Sequence, residues 1–162
     1  MKKCLLIFAA IICSIGTWGQ VLSVVDVGNS ILDKNNFATA KQIFKQNGLV
    51  LNPDYLSQSP QTHASSMLGK DKFTSLMASI DAYSKTDKRI KQVTFLIGGY
   101  YQGRVVDDLK SLGYKYTGKI EWVTLGNGVS VPQVTYVKGV KRCLIQDIDD
   151  GVFQNIIFKR NK

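Results

Sequence analysis

His63 is the only histidine in 162 residues, so any imidazole chemistry must pass through it. A serine triad or a cysteine–histidine pair needs a base held against a nucleophile. His63 stands in "NPDYLSQSPQTHASS", residues 52–66, where nothing has catalytic or ligand spacing. That polar stretch holds Pro53 and Pro60 and reads as a long loop or a poor edge strand. Its histidine therefore reads as solvated, and a zinc site finds no second imidazole. Cys143, in "KRCLIQDI", reads as a small hydrophobe buried in a strand. Glu121 is the only glutamate, whereas sugar hydrolysis needs two acids across a cleft. Asp107 and Asp108 are adjacent near a helix start, where they favour the dipole. Asp147 and Asp149 alternate as calcium-loop acids do, but Asp150 is one position early and no later glutamate closes a loop. The glycines of "IGGYYQG" lack the lysine and the spacing of a phosphate loop. The expectation is a protein that is not an enzyme and holds no metal or cofactor.

Binding chemistry is better represented. In "LIGGYYQGR", residues 96–104, Gly98 and Gly99 permit unusual backbone angles. Tyr100 and Tyr101 offer large amphipathic surfaces, and Arg104 at a helix start could take an anion. These three are the candidate ligand site; the competing reading is a linker whose tyrosines fill a groove. A second candidate is a basic patch of Lys138, Lys141 and Arg142, with the basic tail from Lys159 to Lys162. The formal charge of +9 favours anionic partners such as acidic glycans or lipid headgroups. No specific nucleic-acid partner is expected.

The chain begins "MKKCLLIFAAIICSIGTWGQ". Two lysines precede an apolar run from Cys4 to Ile15, too short to span a bilayer, and small residues follow at cleavage spacing. Residues 1–19 thus read as a signal peptide, with Ser14 and Gly16 offering an alternative cut and Cys13 a lipid anchor disfavoured by the bulky Ile12. Export to the periplasm or beyond is expected. With Gln at the new terminus, the leader resembles those of exported proteins of Bacteroidetes-type bacteria. Its loss removes Lys2 and Lys3, taking the formal charge from +9 to +7. Of three cysteines only Cys143 would remain, so the fold must hold by its core and not by a disulfide.

Two segments ask to be compared. "FATAKQIFKQNGLVLN", from Phe37, and "GRVVDDLKSLGYKYTG", from Gly103, each read as an amphipathic helix, a glycine stop and the start of a strand. At an offset of 65 residues Phe44 meets Leu109, and Gly48 meets Gly113. Downstream, "DKRIKQVTFL" aligns with "DDGVFQNIIF" at an offset of 62, pairing Phe95 with Ile157. Tyr116, Ile120 and Trp122 alternate with Thr117, Lys119 and Glu121, so one strand face is apolar. "GNG" at 126–128 and "DDG" at 149–151 signal hairpin turns.

The expected fold is α+β, with two tandem repeats, each one helix packed on a three- or four-stranded antiparallel sheet. The first repeat, with an N-terminal lead-in, takes residues 20–97 and the second takes 98–162. This arrangement resembles the duplicated helix-plus-four-strand modules of the β-lactamase inhibitor protein and related small periplasmic proteins. The resemblance implies architecture and carries over no site residue. The functional expectation is an exported, monomeric, non-catalytic module that binds a protein, peptide or glycan. The alternatives are an envelope-associated protein docking on an acidic surface, or a small carboxylate hydrolase.

Overall fold

Ser23 opens the first helix. Its hydroxyl oxygen accepts from the Asp26 backbone N–H at 3.2 Å, and its O–H donates to Asp108 Oδ2 at 2.8 Å. Ser and Asp at these positions satisfy one orphan donor and favour the dipole. This helix, α1, is Val24–Lys34, and the N-terminal lead-in of the sequence reading is thus an ordered element. It ends at Asn35, which takes the left-handed region at φ 48°, a conformation that asparagine tolerates. The computed structural model describes residues 23–51, 61–67, 75–98 and 102–161. The expected leader lies outside them.

Two further helices follow the chain: α2 (Phe37–Gln46) and α3 (Gln102–Ser111). They end alike. After α2, Gly48 N–H donates to Lys45 O and Leu49 N–H to Phe44 O. After α3, Gly113 N–H donates to Lys110 O and Tyr114 N–H to Leu109 O. Both glycines are left-handed, at φ 75° and 81°. This paired bond pattern closes a helix with a glycine, and it buries the following residue against the last turn. Leu49 with Phe44, and Tyr114 with Leu109, are accordingly buried.

The strands are β1 (Val50–Leu51), β2 (Gln61–Met67), β3 (Ser75–Ala82), β4 (Ile90–Gly98), β5 (Lys115–Thr124), β6 (Ser130–Lys138), β7 (Lys141–Ile148) and β8 (Phe153–Arg160). They form one antiparallel sheet in the order β1-β2-β3-β4-β8-β7-β6-β5. The class is therefore α+β, and the strands share a single sheet. The expected turns at 126–128 and 149–151 join β5 to β6 and β7 to β8. Residues 61–67, expected in a loop or poor edge strand, instead form β2 between β1 and β3.

Side chains alternate across a strand, so register decides which face each joins. Val93, Phe95 and Ile97 of β4 face the helices, as do Ile156 and Phe158 of β8. α1 lies over β4 and β8, and α2 over β3. Phe44, Phe95 and Phe158 form the centre of the core, with ring centroids 6.0 and 6.2 Å apart. Register also corrects the sequence alignment of the last strands. Phe95 faces the helices while Ile157, paired opposite Thr94, faces away. An even offset such as 62 therefore matches opposite faces.

Polar contacts pin α1 to the sheet. Lys141 Nζ donates to Asn29 Oδ1 at 2.8 Å and pairs with Asp33. Tyr114 O–H reaches the same Asn29 oxygen at 3.2 Å. Burial pushes the Tyr114 phenol upward, keeping it a neutral donor. Among the described residues no helix is long and apolar enough to cross a membrane.

Candidate functional site

Of the residues nominated from sequence, the basic trio and Arg104 fall among the described residues. Tyr100 and Tyr101 lie outside the described residues. Arg104 is exposed on the first turn of α3. The basic trio divides because strand alternation separates its members. Lys141 turns toward α1, its side chain only 13% exposed and bound to Asn29 and Asp33. Lys138 shares that side of the sheet, its Nζ 6.0 Å from the centroid of the Tyr114 ring. Arg142 belongs to the opposite side, in register with Val137 and Lys159.

His63 and Cys143 are likewise apart. His63 stands opposite Ser79 on β2, and three strands separate β2 from β7. Cys143 is buried and free, and desolvation pushes its thiol well above the usual range, away from nucleophilic reactivity. Among the described residues no three histidine, cysteine, aspartate or glutamate side chains are grouped to hold a metal.

Two surfaces stand out instead. The first is the edge strand β5. Tyr116, Ile120 and Trp122 pair with Tyr136, Val134 and Pro132, which places them on the helix-facing side. The sheet extends past the helices there, so these three are 46%, 64% and 72% exposed. The sequence predicts this apolar face packed on a helix, and its exposure corrects that expectation. Alternation within one strand reports a shared face and cannot report whether anything covers it. A register shift between Tyr116 and Ile120, with Gly118 at φ 79°, further bends this edge.

Beside Trp122 lies an open depression of about 470 Å³. Trp122, Val131 and Pro132 line it together with Asp147, Asp149 and Asp150. Asp147 Oδ1 accepts from Gln154 Nε2 at 2.7 Å. Asp149 and Asp150, both left-handed in the β7–β8 turn, form no ion pair among the described residues. An aromatic platform flanked by carboxylates suits an apolar group that ends in a cation.

The second surface is the side of the sheet that faces away from the helices. There, register aligns residues in rows that cross the strands. One row is an amide ladder. Asn155 Nδ2 donates to Gln146 Oε1, Gln146 Nε2 to Gln133 Oε1, and Gln133 Nε2 to Glu121 Oε2, at 3.3, 2.9 and 3.4 Å. Gln133 and Gln146 are buried by their neighbours, and the ladder satisfies them. A parallel row holds Lys115, Val137, Arg142, Lys159, Gln92 and Asp81. This row gathers three cations that are scattered in the sequence.

Compared with known proteins, the chain matches no family model, no curated protein and no solved structure.

Proposed function

We propose that the chain is an exported, non-catalytic binding module that holds a protein or peptide segment against β5. The observation that carries this reading is the outward stripe of Tyr116, Ile120 and Trp122 on an uncovered sheet edge. Grouped exposed apolar side chains on a soluble domain mark an interaction surface, and tryptophan and tyrosine dominate such contacts. Asp147, Asp149 and Asp150 give the partner its chemistry: an extended segment carrying lysine or arginine next to an apolar residue. A free edge strand offers backbone groups to such a segment from Ile120 to Thr124.

We also propose that the architecture is a tandem repeat, α2 with β1–β4 and α3 with β5–β8, as in the β-lactamase-inhibitor-protein-like modules. The matching helix closures at Gly48 and Gly113 support it, 65 residues apart. So does the strand order, which runs inward through β4 and outward from β8. An odd offset of 63 would superpose Phe95 on Phe158, both fully buried.

Trp122 makes the binding test direct, because the only other tryptophan is Trp18 in the leader. An array of basic-apolar peptides is expected to retain the protein and to shift Trp122 fluorescence on titration. Trp122→Ala should weaken that binding at least tenfold, the effect of losing a contact worth about 1.4 kcal/mol or more. Retention unchanged by Trp122→Ala removes β5 as the docking edge, and retention on a glycan array alone replaces the peptide by a sugar.

The row of Lys115, Arg142 and Lys159 favours a second reading, docking on an acidic envelope surface. Lys115→Glu with Arg142→Glu is expected to abolish retention on vesicles containing anionic lipid at low salt. Equal retention of wild type and variant rejects this reading.

A further inference from the structure

A cavity of about 470 Å³ opens where three segments meet below the end of α1. Asn35 comes from the α1–α2 junction, Tyr83 and Arg89 from the β3–β4 connection, and Arg160 and Asn161 from the end of β8. Among the described residues no carboxylate lines it. We propose that this cavity binds an oxyanion, the carboxylate or phosphate group of a small molecule or a chain end.

The argument starts from Arg160. Its Nη2 donates to the Leu32 carbonyl at 2.8 Å, so part of the guanidinium closes α1. Its Nε–H is buried and has no hydrogen-bond partner among the described residues. No ion pair balances its charge among the described residues. A buried charged donor left unpaired is costly, and native proteins rarely leave one. A helix-capping role accounts for one nitrogen and leaves the Nε–H and the charge unexplained. An oxyanion in the adjoining cavity, which Arg160 lines, balances that charge.

Arg89 stands ready on the other wall. Its Nε and Nη2 are held by the Asp87 carboxylate at 3.0 and 2.7 Å, and its guanidinium lies 5.6 Å from the Tyr83 ring centroid. The ion pair and the ring orient this side chain, which is 68% exposed, and Nη1 has no partner among the described residues. Asp87 neutralises Arg89, so the uncompensated positive charge belongs to Arg160. Asn35 is committed by its oxygen to the Ile90 N–H at 3.0 Å, which leaves its amide N–H₂ as a further donor. The available donors are thus guanidinium and amide N–H groups with an exposed tyrosine, the set that fits planar or tetrahedral oxyanions. The cavity lies at a different corner of the fold from β5, so its occupancy is independent of the docking reading.

Arginine side-chain ¹H–¹⁵N resonances test the proposal. Inorganic phosphate and acetate are titrated separately into the protein at constant ionic strength set by chloride. The Arg160 Nε–H resonance is expected to move saturably with at least one anion. Phosphate alone indicates a phosphate ligand, and acetate alone indicates a carboxylate; either supports the site. Arg89→Gln should weaken the binding about tenfold, with Arg89→Lys between that variant and wild type. The Trp122 indole resonance checks folding at a distant position in each variant. An Arg160 resonance that stays fixed with both anions overturns the proposal, as does Arg89→Gln titrating like wild type.

Discussion

Replacing Phe95 by alanine is expected to remove about 3–5 kcal/mol of stability, near the upper end for a single core truncation. Phe95 is fully buried and stands at the middle of three aromatic rings, with Phe44 on one side and Phe158 on the other. The truncation loses the transfer free energy of the ring and leaves a cavity. It also breaks two aromatic pairs, each contributing about 0.5–1.5 kcal/mol beyond buried area. Collapse into the space is hindered. β4 is hydrogen-bonded on both sides, to β3 and β8, and α1 and α2 lie above on helices anchored at their caps. A domain of this size has a total stability of about 5–15 kcal/mol, so the variant would be marginal at room temperature. Urea denaturation followed by circular dichroism reads the result as a lowered midpoint with an unchanged slope. Trp122→Ala is the internal comparison. Its ring is 72% exposed, and the change should stay within about 0.5 kcal/mol. Equal losses for the two variants would mean that the aromatic centre does not organise the core.

What could be read in advance follows the range of the interactions involved. The ends of α2 and α3 were legible because glycine in the left-handed region is a local requirement, met at Gly48 and Gly113. The turns after β5 and β7 were legible for the same reason. α1 was not, because Val24, Val25 and Val27 with Gly28 look like a strand or a linker. Its signals were present: Ser23 followed three residues later by Asp26, then Ile31 and Leu32 at helical spacing. Packing on β4 and β8 overrode the weak propensity. β2 hid because proline-rich polar sequence before His63 resembles a loop. The candidate sites were the least legible. Arg142 and Lys159 meet only through register, and Arg89 and Arg160 only through the meeting of two distant segments. Lys141 and Arg142 are neighbours in sequence that face opposite sides, a separation that follows from strand alternation once the strand is located.

Gly28 yields the prediction in which two opposing effects must be weighed. It sits inside α1, where alanine would ordinarily add about 1 kcal/mol of helix stability. A Cβ placed there would lie 2.4, 2.7 and 2.8 Å from Cδ2, Cε2 and Cγ of Phe158. Cγ is the root of the ring and not its flexible tip, so the whole side chain would have to retreat. Phe158 is fully buried, in edge contact with Phe95 and in register between Cys143 and Val93. No open space receives it, and overpacking of this kind costs about 1–3 kcal/mol and sometimes more. The clash therefore outweighs the propensity gain, and Gly28→Ala should destabilise the protein in urea denaturation, with Gly28→Leu worse. The sign should change in a Phe158→Leu background, where the smaller side chain releases the space and Gly28→Ala regains its helical advantage. Such a double-mutant cycle isolates the contact from the propensity, because the propensity term is common to both backgrounds. If Gly28→Ala stabilises the otherwise unchanged protein, α1 does not lie against Phe158, and the close approach of helix to sheet at this position is wrong.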